Sequence, residues 1–349
     1  MTCHPELAPW GWRSAFECHV PEGFRPARVL ARHRAFWTVH DGRFPQRAVL
    51  RGTFLHDADP GALPVTGDWV LLAADPADVR IHGLLPRSGL LRRREPGSPP
   101  RAQALAAHVE TALLVGALNG DFNLRRLERT LVQVAAEGIR AVLVLTKADL
   151  RPDWQACLRD ARALGAAGAL ALSVREGWGL EGLEPFLCPG DTLALLGSSG
   201  AGKSTLLNAL LGEARQQVGD VRRGDGKGRH TTTHRELFPL PGGALMVDTP
   251  GLREWQLWNA GEGVDHAFAD LEEMAAGCRF SDCTHTAEPG CAVLEAVAQG
   301  RVSAGRLESQ RKLARESAFQ QSLEDRSLQQ DRKAREKRLS RAIRSFKKH

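Results

Sequence analysis

The sequence predicts a multidomain protein with an N-terminal β-domain, a central α/β domain on a parallel sheet, and a helical C-terminal region. Three observations predict this. Strand-length apolar runs spaced by turn residues fill the first hundred positions, apolar runs alternate with helix-patterned segments from Thr111 to Leu210, and Cys278, Cys283 and Cys291 cluster near the end. With 349 residues, the chain has room for two or three domains of ordinary size.

In the N-terminal part, residues 1–98, the runs Ala27 to Leu30, Phe36 to Val39, Ala48 to Leu50 and Asp68 to Leu72 are broken by Gly, Pro and Asp. This pattern predicts a small antiparallel barrel or a sandwich and does not choose between them. The Pro96-Gly97-Ser98-Pro99-Pro100 cluster reads as a linker.

The central part, residues 99–260, opens with the continuous apolar run Thr111 to Leu118. Phe122 to Glu137 has helical spacing (Leu124, Leu127, Leu131, Val134), with Asp121 as a candidate cap. Ala141 to Leu145, Ala169 to Val174 and Thr192 to Leu196 are further apolar runs, and Trp154 to Leu164 reads as a helix. Wholly apolar strands alternating with helices imply a parallel sheet covered on both faces. Leu237 to Leu240 and Ala244 to Val247 add two later strands. In the last part, residues 261–349, the chain is helix-patterned from about Val264, with one Cys/His-rich interruption.

Apolar residues at 42% and charged residues at 25% are ordinary for a globular protein. The net charge of +6 is unevenly spread: from Arg311 onward 13 Lys or Arg face 5 Asp or Glu, so that segment alone carries +8. Such an excess suits an anionic partner, most simply nucleic acid, or a solvated helix laced with ion pairs. Met1 to Trp12 lacks a basic stretch followed by an apolar run, and no stretch approaches the ~18 apolar residues of a membrane span. The chain therefore reads as cytoplasmic, with no membrane partner. Cys3, Cys18, Cys157 and Cys188 are scattered and read as ordinary thiols.

Gly197-Ser198-Ser199-Gly200-Ala201-Gly202-Lys203-Ser204 matches the phosphate-loop pattern G-x-x-x-x-G-K-[ST] in full. An apolar strand precedes it, and a helix-forming segment beginning with Thr205 follows. Glycines let backbone N–H groups face an anion, and the helix N-terminus adds favourable potential. Lys203 is placed to reach β- and γ-phosphates, and the Ser204 hydroxyl to ligate Mg²⁺. Downstream, Asp248-Thr249-Pro250-Gly251 follows an apolar run. That position suits a metal-side carboxylate (Asp248) and a backbone N–H that senses the γ-phosphate (Gly251). Between them, Gly228-Arg229-His230-Thr231-Thr232-Thr233 has the composition of a switch. A threonine there, with Thr232 the candidate, would complete Mg²⁺ coordination, but the sequence does not say which one.

Thr146-Lys147-Ala148-Asp149 ends another apolar strand and has the form [NT]-K-x-D. A carboxylate at Asp149 can accept from guanine N1–H and the 2-amino group, neither of which adenine offers. A buried group matched in this way can reject the wrong base by ~10⁴ or more. Ser173-Val174-Arg175 reads as a second base loop. The motif order is unusual: the base loops at 146–149 and 173–175 precede the phosphate loop, and the switch segments follow it. Reopening a sheet at a different surface point leaves the site intact, so circular permutation accounts for the order economically. Near the C-terminus, Cys278-x₄-Cys283-x-His285-x₅-Cys291 supplies the three thiolates and one imidazole of a closed, structural zinc site.

With these motifs the chain resembles the ribosome small subunit-dependent GTPase A family over roughly Val29 to Ala298. The resemblance implies an OB-fold for the N-terminal barrel, with Gly67-Asp68-Trp69-Val70 matching its strand motif. It also implies GTP and GDP with Mg²⁺ as ligands, one structural Zn²⁺ with His285 preferred to His266, and GTP hydrolysis stimulated by the small ribosomal subunit. The implied role is late maturation of that subunit through rRNA binding, by a chain monomeric off the ribosome. His108-Val109-Glu110 departs from the expected Asn-Val-Asp, and the first 25 residues and the far C-terminus read as private to this chain. Leu252 stands where many GTPases place a water-orienting glutamine. Slow intrinsic turnover follows, with His230 either orienting water or merely packing in the switch. Two rivals stay open: a P-loop ATPase or kinase, and a nucleotide-gated RNA scaffold whose turnover is incidental.

Overall fold

Side chains that alternate between two buried faces organise the N-terminal part. In the computed structural model, residues 4–52, 54, 63–94, 102–119, 122–212, 235–248, 268–316, 318 and 322 are described. Five strands, β1 (Phe24–Arg32), β2 (Trp37–His40), β3 (Pro45–Leu50), β4 (Trp69–Ala73) and β5 (Arg80–Leu84), pair in the order β1-β2-β3-β5-β4. β4 returns to pair with β1 from Phe24–Ala73 to Arg28–Trp69, so the pairings close a ring. All contacts in the ring are antiparallel except β3 with β5. Ala27, Val29, Trp37, Val39, Ala48, Val70, Leu72 and Ile81 form its interior. β1 is buried on both faces because Ala27 and Val29 point into the ring while Leu30 packs with the core of the neighbouring α/β sheet.

After β6 (Leu91–Arg94) and β7 (Ala102–Ala106), which form a two-stranded sheet, the chain enters the α/β part. Its strands are β8 (Thr111–Ala117), β9 (Arg140–Thr146), β10 (Gly168–Ala171), β11 (Thr192–Leu196), β12 (Glu236–Pro239) and β13 (Leu245–Asp248). They lie in the order β10-β9-β8-β11-β13-β12, all parallel except β12, which is antiparallel to β13 and pairs on its other side with β1. Each central strand sends alternate residues to opposite cores, as a period of two requires. Leu114, Leu143, Leu145, Ala194 and Leu196 pack on one face with α1 (Leu124–Ala136) and α2 (Trp154–Arg162). Leu113, Val115, Val142, Val144, Leu193 and Leu195 pack on the other with α3 (Lys203–Leu211). Each fully buried Leu or Val contributes roughly 1.5–3 kcal/mol, so both faces hold the sheet firmly.

α1 buries Leu127, Leu131 and Val134 at helical spacing. Its cap is Asn123, whose Oδ1 accepts from the Arg126 amide at 3.1 Å. The expected cap, Asp121, lies outside the described residues; a side chain three residues before the orphan N–H has the reach, and Asn123 fills that place. Residues 4–92 and 104–248 belong to one compact unit.

The second unit comprises residues 93–103 and those after Trp255. It holds the short helices α4 (Ala269–Ala275) and α5 (Ala292–Ala298) and a helix over 304–316. Its buried apolar residues are few, chiefly Phe268, Leu271, Val293, Ala296, Val302, Leu307 and Leu313. Arg306 lies 4.8 Å over the Phe268 ring and forks onto both Asp270 oxygens at 3.0 and 2.7 Å. Among the described residues, no helix is long and apolar enough to cross a membrane.

Candidate functional site

The parallel strands bring the sequence-predicted loops to one edge of the sheet, their carboxyl ends, where open α/β sheets bind ligands. β11 is buried at all five positions and delivers Gly197 beside β8. Gly197 has φ +154°, and a Cβ there would fall inside contact distance of the Val115 carbonyl oxygen. Only glycine fits, so the loop turns directly off the sheet. Gly202, at φ +88°, would put a Cβ 3.3 Å from Thr146 Oγ1 and leads into α3. The helix α3 begins at Lys203, so its N-terminus and the favourable potential there face the loop, as an anion site requires. Lys203 Nζ donates to the carbonyl oxygens of Gly197 and Ser198, each at 2.7 Å, and so lies across its own loop. Ser199 and Gly200 are exposed at the tip, while Ala201 is buried against the sheet. Such a cradle of glycines, helix N-terminus and lysine has the donors that a triphosphate requires.

Two strands away, β9 ends at Thr146 and the base loop is tied to the phosphate loop. Thr146 Oγ1 donates to the Ala201 carbonyl at 2.6 Å, and Lys147 Nζ donates to the Gly200 carbonyl at 2.9 Å. The single Thr146 hydroxyl therefore bridges the two loops. Lys147 adopts φ +55°, which turns the chain sharply after the strand, and the Ala148 amide is fixed by the Leu172 carbonyl at 3.2 Å. Ser173 Oγ donates to Asp149 Oδ1 at 2.6 Å and accepts from the Glu176 amide at 3.2 Å. A bridge between Ser173 and Trp178 closes this second loop. One Asp149 oxygen is thereby oriented by its own protein.

In the second unit, the Cys278, Cys283, His285 and Cys291 donor atoms all lie within 4.8 Å of one another. A tetrahedral zinc with Zn–S near 2.3 Å and Zn–N near 2.05 Å requires ~3.8 Å between sulfurs and ~3.6 Å from sulfur to nitrogen. Cys278 Sγ lies 3.8 Å from Cys291 Sγ and 3.6 Å from His285 Nδ1, and Nδ1 lies 3.4 Å from Cys291 Sγ. The donors fit such an ion. Local backbone makes the fit: His285 sits at φ +55°, and the Glu288 carboxylate accepts from the Thr284, Thr286 and Ala287 amides at 2.7–3.0 Å.

The sequence model of the RsgA GTPase family matches residues 84–258. A relative from Opitutus terrae, named small ribosomal subunit biogenesis GTPase RsgA, is 44% identical over 330 residues, 90% of each chain. The chain belongs to the RsgA GTPase family. A relative of the same name from Methanosarcina acetivorans is 40% identical, over 92% of this chain and 87% of its own. Among solved structures, YjeQ from Thermotoga maritima aligns with a TM-score of 0.63 at 28% identity, covering 84% of this chain and 99% of that one. YloQ, described as a circularly permuted GTPase, aligns at 0.61 and 24% identity over 85% and 96%, a likeness of fold. This RsgA-family chain is thus a GTP-hydrolysing enzyme, in which the Thr146–Asp149 segment meets the Gly197–Ser204 loop that follows it in the chain.

His230, Thr232, Gly251 and Leu252 lie outside the described residues, as does the basic tail beyond residue 322. Asp248 ends β13 opposite Glu236, at the same sheet edge as the loops.

Sequence reasoning missed the amino-terminal side of the sheet. Arg28, in β1, is 1% exposed. It lies 4.9 Å over the Trp69 ring and donates from Nη2 to Thr192 Oγ1 at 2.9 Å. Burial lowers its pKa to about 10, with Glu110 and Asp68 opposing the shift. Residues 5–10 and 14–19, read as private to this chain, are 3₁₀ turns that bury Leu7 and Trp12, the latter 4.7 Å from Trp69. Arg13 bridges Glu110 and Asp191 at 3.0 and 2.9 Å. Arg28 within the apolar run Ala27 to Leu30 was the available signal, and it does not name a partner.

Proposed function

We propose that this GTPase acts on the small ribosomal subunit: it docks with GTP bound, hydrolyses it when the subunit stimulates turnover, and leaves with GDP. The observation that carries the reading is the joining of the base loop to the phosphate loop through Thr146 and Lys147, beside Asp149. Asp149 would read guanine N1–H and the 2-amino group, with Lys147 lying along the base. The Gly197–Gly202 backbone and the α3 N-terminus, with Lys203, would hold the phosphates, and Thr205 extends that cradle. Ser204, Asp248 and a switch threonine, Thr232 in our reading, would hold Mg²⁺, which supplies charge neutralisation on the phosphate oxygens when bound. Gly251 would sense the γ-phosphate, and His230 would orient the attacking water in place of the glutamine that Leu252 replaces.

We read the chain as three parts, residues 1–98, 99–260 and 261–349. The closed five-strand ring, with its parallel β3–β5 contact, supports an OB-like barrel that takes RNA. Cys278, Cys283, His285 and Cys291 would hold one structural Zn²⁺, which the small core around it favours. The basic tail would follow rRNA phosphates. Ribosomal work places the chain in the cytoplasm, and we take it as a monomer off the ribosome. The names of its relatives, small ribosomal subunit biogenesis GTPases, support the choice of partner.

The test is phosphate release from GTP and from ATP, each with and without purified small subunits. Stimulation confined to GTP is expected. GTP turnover indifferent to subunits would remove the ribosomal partner, and equal use of ATP would overturn the role of Asp149.

A further inference from the structure

The ring and the α/β sheet meet along β1 and β12 at one register pair, Ala31 with Glu236. Three residues before Ala31, the Arg28 guanidinium crosses to Thr192, the first residue of the phosphate-loop strand. Thr192 is held from the other side as well, since its amide donates to Glu110 Oε2 at 2.7 Å. Glu110 Oε1 in turn accepts from Arg13, which also grips Asp191. The ring, the N-terminal segment and the feet of β8 and β11 therefore converge on Thr192. Five residues further on, about 16 Å along an extended strand, stands Gly197. Between them β11 is buried at every position and clamped between β8 and β13. A strand so enclosed transmits a shift of its foot rather than absorbing it.

Stability does not account for the arginine. Burying a guanidinium against a hydroxyl costs desolvation that an apolar side chain of similar length would avoid, and register is the best-attested use of such a buried charge. Arg28 also keeps one buried nitrogen, Nε, without a hydrogen-bond partner. We propose that Arg28 is a positioning residue for the subunit-stimulated step alone, setting the ring against the foot of the phosphate-loop strand so that RNA held by the ring controls the loop at its other end. This rests on the reading that the ring takes RNA and that subunits stimulate turnover.

The experiment uses the full chain and follows GTP turnover across a titration of purified small ribosomal subunits. Wild type is compared with Arg28→Met, Arg28→Lys and Arg13→Ala, with melting curves for each. For Arg28→Met, basal turnover and the KM for GTP are expected to stay within about twofold, and the melting temperature not to fall. The maximal stimulated rate should drop about tenfold, the effect of one charge-assisted hydrogen bond missing from the transition state. The half-saturating subunit concentration should not move. Arg28→Lys should recover part of the rate. Arg13 is half exposed, so Arg13→Ala tests the same joint without a buried change, and about a threefold loss is expected. Full stimulation of Arg28→Met, or of a folded Arg13→Ala if Arg28→Met does not fold, would overturn the proposal. So would a raised half-saturation with an unchanged maximal rate, since Arg28 would then only shape the RNA-binding face. A wild type indifferent to subunits would overturn the ribosomal reading itself, and the joint's role with it.

Discussion

Acidification from about pH 7.5 to about pH 5 should destabilise the fold through His108, and His108→Asn should remove most of that sensitivity. His108 is 1% exposed, its Nδ1 lies 3.2 Å from Ser88 Oγ, and its Nε2 is buried without a partner. Its ring stands edge-on to Phe16 at 5.4 Å. Burial first, and then the Arg28, Arg87 and Arg13 guanidinium groups, push its pKa down to about 3. In the unfolded chain the imidazole titrates near 6.5. Below that value the unfolded state binds a proton that the native state refuses, so stability is complete above pH ~6.5 and falls as pH drops toward 3. From pH ~6.5 to pH ~5 the loss is ~1.5 units at ~1.4 kcal/mol each, about 2 kcal/mol.

Asparagine is the informative replacement because His108 adopts φ +54°, where Asn is among the residues best tolerated. The same backbone explains why histidine can stand where asparagine was expected. Burial pushes the Glu110 carboxyl up, an effect of opposite sign, but it is present in both proteins and cancels in their difference. Urea unfolding at both pH values, for wild type and variant, measures that difference. An equal loss of stability in the two proteins would refute the reasoning.

Three further outcomes follow from the geometry. Thr146→Val removes the hydroxyl that grips Ala201 O and should weaken GTP binding about fivefold, one hydrogen bond's worth; unchanged affinity by nucleotide titration would refute the bridge. Gly197→Ala forces a Cβ against the Val115 carbonyl, and a clash of that kind costs about 1–3 kcal/mol. Nucleotide affinity should fall by about tenfold or more, and wild-type binding with an unshifted melting curve would count against it. Cys283→Ser, or treatment with a strong chelator, should lower the melting temperature of the second unit while leaving GTP binding by the first intact. No change in melting would mean that the Cys₃His cluster holds no structural ion.

The chemistry was legible in the sequence wherever it is local. Gly197 to Ser204, Thr146 to Asp149 and Cys278 to Cys291 each gather their groups within a few residues, so the donor sets stand in the spacing alone. The permuted order was legible too, because a motif keeps its place in the chain however the sheet is arranged. Wholly apolar runs such as Thr192 to Leu196 announced a sheet covered on both faces, since no solvated strand has that composition.

What the tertiary structure decided depends on partners far apart in the chain. The pairing of β4 back onto β1 was not legible in the N-terminal strands, because a period-two pattern says which face is buried but not which strand lies alongside. Thr146 gained its bridging role from Ala201, 55 residues later. Residues 4–20 carry no motif, and their docking onto Trp69, Glu110 and Asp191 follows from shape and charge assembled only on folding. Arg28 is the clearest case: a charged side chain in a strand reads as solvent-facing until a hydroxyl 164 residues away is brought beside it. Only the folded chain can supply that partner, because burying a charge becomes tolerable solely where other elements converge to satisfy it.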